Sequence, residues 1–145
     1  MILKPGVVPW FFTAKLGGCN VFLATAENKR NNPMAIHSNL NSCGNKLDNL
    51  RLKGEAVDQT LRVAHPDYTL IARVYSAPPP KDKTQTDQYL RQYQTNHPGI
   101  RLVSYNTNPP ATPQYFQFIG HFEQHWTFIV KGETDGITMT QITLV

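Results

Sequence analysis

The apolar residues of this chain come in short runs, and that feature limits its fold more than any other. The longest runs are Val7–Phe12 (broken by Pro9), Val21–Ala24 and Phe128–Val130. Such lengths suit strands of a layered protein, and none approaches the roughly 20 residues a membrane-crossing helix needs. Val7–Ala14, Asn20–Thr25, Met34–Ser38, Tyr68–Ser76, Ile100–Tyr105, Tyr115–Phe122, Trp126–Lys131 and Ile137–Leu144 read as strands. In Tyr68–Ser76, Leu70, Ala72 and Val74 alternate with Ile71, Arg73 and Tyr75, so one face is expected to be the more buried. Lys15–Cys19 reads as a tight turn in which Gly17 and Gly18 are free to take positive φ. Asp135-Gly136 supplies a hairpin turn within Gly132–Gly136.

Helices are expected in two places. One runs from about Glu55 to His65 and is stopped by Pro66; the other covers Thr86–Asn96, with Tyr89, Leu90 and Tyr93 on one side. The proline-rich segments Ala77–Lys83 and Asn106–Pro113 read as extended surface loops. The order is then β-β-β-α-β-α-β-β-β-β, without a regular βαβ repeat. It predicts an α+β fold of mixed, mostly antiparallel, sandwich-like sheets flanked by two helices, in a single domain over residues 1–145. Trp10 and Trp126 are expected to fill its core.

With 40% hydrophobic and 17% charged residues, the composition is that of a globular chain. The net charge is +4, but Lys and Arg are scattered rather than gathered into a stripe, so no nucleic-acid partner is expected. The basic balance favours weak attraction to acidic protein surfaces. Met1–Val8 has no apolar stretch of the kind a signal peptide carries, and a soluble, monomeric protein without a membrane span is expected. The two cysteines, Cys19 and Cys43, have no metal-ligand spacing. A single bridge between them stays open, and neither a metal nor an organic cofactor is expected.

Cys19 is the residue placed for chemistry. It follows Gly17-Gly18 and opens an apolar strand, so backbone N–H groups of Gly18 and Cys19 are candidate oxyanion donors. A thiol nucleophile also needs a base, because a free thiol is only slightly ionised at neutral pH. Of the histidines, His65 and His97 each precede a proline at a helix end, where a capping role is the simpler reading. His121 and His125 sit in the late strands. His37 ends the short strand Met34–Ser38, which can pair beside Asn20–Thr25, and so it is the candidate base.

The segment Leu16-Gly17-Gly18-Cys19 resembles the nucleophile motif of the cysteine glutamine deamidases. That group includes the cytotoxic necrotizing factor catalytic domains, the Burkholderia lethal factor and the chemotaxis receptor deamidase. In that family the cysteine begins an apolar strand and a histidine follows on a neighbouring strand, as Cys19 and His37 do here. Two members carry a threonine upstream that orients the imidazole, and Thr13 stands at that offset. Gly17 departs from the serine common in the toxin members, and nothing after Asn41 aligns, so target recognition does not transfer. The resemblance implies hydrolysis of a glutamine or asparagine carboxamide on a protein substrate. It also implies a toxin or effector that acts in the cytosol of a host or competitor cell.

Two other readings stay open on the sequence. A papain-like hydrolase would pair Cys19, opening a helix at Asn20–Ala24, with His125 on a late strand. A non-enzymatic β-rich binding module would keep Cys19 as a packed structural thiol.

Overall fold

Val21, Phe22, Leu23 and Ala24 are successive residues, and all are at most 1% exposed. Neighbouring side chains on a strand point to opposite faces, so this strand must be covered on both sides. The computed structural model, which describes residues 1–6, 9–13, 16, 18–42, 44–105, 116–132 and 139–144, supplies both covers. Its strands are β1 (Trp10–Phe12), β2 (Asn20–Thr25), β3 (Met34–Ser38), β4 (Thr69–Ser76), β5 (Arg101–Tyr105), β6 (Phe116–Phe122), β7 (Trp126–Gly132) and β8 (Met139–Thr143). Two helices, α1 (Lys46–Ala64) and α2 (Lys83–Asn96), complete it.

The strands form two four-stranded sheets, ordered β3-β2-β4-β5 and β1-β6-β7-β8. All neighbours are antiparallel except β4 and β5, the parallel pair that α2 joins as a crossover. On one side of β2, Val21 and Leu23 join Ala72, Val74, Phe118, Trp126, Phe128 and Val130 in an apolar core between the sheets. On the other, Phe22, Ala24 and Leu70 pack against Val57 and Leu61 of α1 and Tyr93 of α2. Each fully buried large apolar side chain contributes about 1.5–3 kcal/mol. The layers are therefore helices, sheet and sheet, and the expected α+β class of mostly antiparallel sheets holds.

Several local expectations need correction. α1 starts at Lys46, well before Glu55, because Asn45 and Asp48 form a reciprocal capping box. Gly54 breaks the helical sequence pattern for a packing reason. A Cβ there would lie 2.5 Å from Tyr89 Oη and 2.9 Å from Arg73 Nη1, so only glycine leaves room for them. The alternation in β4 is interrupted: Leu23 pairs with Ala72 but Ala24 with Leu70, so Ile71 is an extra residue. Pro80–Asp82 is a single 3-10 turn leading into α2 rather than extended chain, with Pro80 at its start. Trp126 is in the core as expected, whereas Trp10 is 49% exposed and stacks on His121 at 3.9 Å between ring centres. Cys43, Gly17, the loop at 106–113 and the turn at 135–136 lie outside the described residues.

Candidate active site

The Tyr105 side chain ties down the end of the turn before β2. Gly18 has φ +122°, a conformation that suits glycine, and its N–H donates to Tyr105 Oη at 3.1 Å. The Tyr105 hydroxyl in turn donates to the Cys19 carbonyl at 2.5 Å. Burial pushes the Tyr105 hydroxyl far up from its ordinary pKa, so it stays a donor. The Gly18 N–H expected to face an oxyanion is therefore occupied in this structure. That leaves the Cys19 N–H as the candidate donor.

The Cys19 thiol is free and half-buried, packed against the inter-sheet core. Val21 pairs with His37 across β2 and β3, and directly opposed residues share a face. Cys19 lies two residues before Val21, just outside β2, and packs against the same inter-sheet core as Val21. Among the described residues no hydrogen bond joins thiol and imidazole. His37 is exposed at the edge strand, and partial desolvation lowers its pKa from the ordinary value, which favours the neutral ring a base requires.

The Thr13 hydroxyl is engaged by the second sheet. Thr13 lies beside β1 in that sheet, where its hydroxyl donates to the Phe118 carbonyl at 3.3 Å and accepts from the Phe118 N–H at 3.1 Å. Its hydroxyl closes the β1–β6 ladder. His125 is remote. It sits in the exposed β6–β7 turn, and its neighbour Trp126 bonds through Nε1 to the Asn31 carbonyl in the β2–β3 turn. That is the end of β2 opposite Cys19. Moreover, Asn20–Ala24 is strand, not helix, so the papain-like pairing has no geometric support. His65 and His97 are the C-caps of α1 and α2, as expected.

On the helix side of the same turn lies a half-open cleft of about 350 Å³, lined among others by Gly18, Asn20, Asn41, Asn49 and Lys53. The residues on either side of Cys19 thus form part of its wall. Two cations stand here that the sequence reading did not single out. Arg73 is 0% exposed and donates to Asn20 Oδ1 at 2.9 Å, Tyr89 Oη at 2.9 Å and the Leu50 carbonyl at 2.5 Å. Its guanidinium also lies 4.9 Å from the Phe22 ring centre and 4.8 Å from that of Tyr93. Lys53 is 2% exposed and donates to Asn41 Oδ1 at 2.9 Å. Burial lowers its pKa, the Cys19 thiol draws it back up and the Arg73 charge lowers it further. Glycine inside a helix opposite a strand arginine was the one sequence signal for this cluster.

Among the described residues no group of three His, Cys, Asp or Glu side chains is placed to hold a metal ion. No helix among them is long and apolar enough to cross a membrane. No family model, curated protein or solved structure matches this chain.

Proposed function

We propose that this chain is a cysteine-dependent protein deamidase, with Cys19 as nucleophile and His37 as base. The observation that supports the reading is the β2–β3 register, which pairs Val21 with His37 and so lays the strand that follows Cys19 beside the one that carries the imidazole. Catalytic hydrogen bonds are often long before substrate binds. The resemblance of Leu16–Cys19 and His37 to the glutamine deamidases selects the reaction from those a thiol–imidazole pair performs.

In this mechanism His37 takes the Cys19 proton and the thiolate attacks the carboxamide carbon of a glutamine or asparagine side chain. The Cys19 N–H donates to the oxyanion. Imidazolium returns the proton to the leaving nitrogen, and ammonia departs as the thioester forms. His37 then deprotonates water, which attacks the thioester and releases a carboxylate and the free thiol. The protein serves as an effector acting on a protein substrate in the cytosol of another cell.

The test is mass mapping of host and bacterial proteins exposed to wild type and to Cys19→Ser. A gain of about one mass unit on a Gln- or Asn-containing peptide, with wild type only, is expected for such nucleophilic hydrolysis. Identical peptide masses with both proteins would sink the reading. The competing reading, a binding module with a packed thiol, draws on the contact of Cys19 with the inter-sheet core.

A further inference from the structure

The side chains that line the cleft beside Cys19 are rich in hydrogen-bond donors. Guanidinium and ammonium groups only donate, so the amide atom facing each must be oxygen. Arg73 Nε therefore fixes Asn20 Oδ1, and Lys53 Nζ fixes Asn41 Oδ1. Asn49 Oδ1 is fixed likewise by the Ser42 N–H at 2.6 Å. Each amide is left with its –NH₂ group, and among the described residues none of the three has an acceptor. All three asparagines line the cleft together with Lys46 and Lys53, and no carboxylate among the described residues does. The Leu50 carbonyl, also in the wall, is taken by Arg73 and Tyr89.

The charges make the same point. Lys53 and Arg73 are both buried, and among the described residues neither has a carboxylate within ion-pair distance. Asp58 is engaged by the Tyr93 hydroxyl and by His97. Two neighbouring buried cations with no carboxylate beside them among the described residues are costly, and a bound anion would offset that cost. We propose that this cleft is a binding site for a small oxyanion, a carboxylate or a phosphate group. Lys53 supplies its charge contact, and the amides of Asn20, Asn41 and Asn49 supply its neutral donors. The inference does not rest on the catalytic reading.

The test is thermal unfolding of the full chain titrated with inorganic phosphate or with propionate, against sodium chloride of equal ionic strength. A saturable rise in Tm of a few degrees is expected, lost in Lys53→Met and kept in Cys19→Ser. Loss of deamidation in Cys19→Ser therefore leaves this result untouched. A response to phosphate alone identifies a phosphate-bearing ligand, to propionate alone an acidic side chain, and to both a general oxyanion site. In the wild type, the side-chain –NH₂ resonances of Asn20, Asn41 and Asn49 should shift together in the same titration, a readout that needs no variant. No rise and no shift with either anion would overturn the proposal, as would a rise undiminished in Lys53→Met.

Discussion

The two faces of the β3-β2-β4-β5 sheet are built on opposite rules. The inter-sheet face is apolar and ring-filled: Phe118 stacks on Phe128 at 5.3 Å and Trp126 on Phe128 at 5.6 Å between ring centres. The helix face buries Arg73, Lys53 and Asn20 beside Phe22 and Tyr93, and holds them by hydrogen bonds and ring faces. On the first face stability follows the volume that is filled. On the second it depends on whether each polar atom has a partner, which is how a site is built at some expense to the fold.

The largest effect expected from this contrast is on the apolar face. Phe118→Ala should cost about 3–5 kcal/mol, read as a shift in the urea midpoint at constant m. Arg73→Met, which keeps much of the side-chain volume on the helix face, should cost under about 2 kcal/mol. The lost hydrogen bonds are partly offset by removal of a buried cation that stands beside Lys53. If Arg73→Met were as damaging as Phe118→Ala, the guanidinium would be a net stabilising contact and the contrast would fail.

A smaller effect sharpens the comparison at the edge of the sheet. Desolvation lowers the His37 pKa in the native state, so the native chain resists a proton that the unfolded chain accepts. The resulting penalty is fully present at low pH and disappears as pH rises through the ordinary value near 6.5. His37→Gln should therefore lose less stability than wild type between about pH 7.5 and about pH 5 in denaturant titrations. Parallel losses in the two proteins would mean that the ring is fully solvated.

Much of the apolar architecture was legible in the sequence. Asn20–Thr25 and Met34–Ser38 have the expected limits, because their apolar residues face packed layers. The start of α1 was not, since Lys53 and Gly54 interrupt the apolar period while both are buried. Periodicity detects burial only where burial is apolar, and Arg73 escaped it for the same reason. At the candidate site, the cysteine and the strand that pairs beside it could be read from turn glycines and short runs. The Thr13 hydroxyl bonds to Phe118 of the other sheet, a partner that its sequence offset from Cys19 does not reveal. Tyr105 and Lys53 come from distant segments, and their approach to Cys19 is a product of the tertiary fold.

The central claim is that Cys19 and His37 act as a pair. Its most direct measurement is the alkylation rate of Cys19 by iodoacetamide near neutral pH, in a Cys43→Ser background with peptide mapping. Wild type should react at least about 10-fold faster than His37→Ala, because a neighbouring imidazole maintains the reactive thiolate. Equal rates in the two proteins, or a thiol that resists reaction in both until they unfold, would contradict the account.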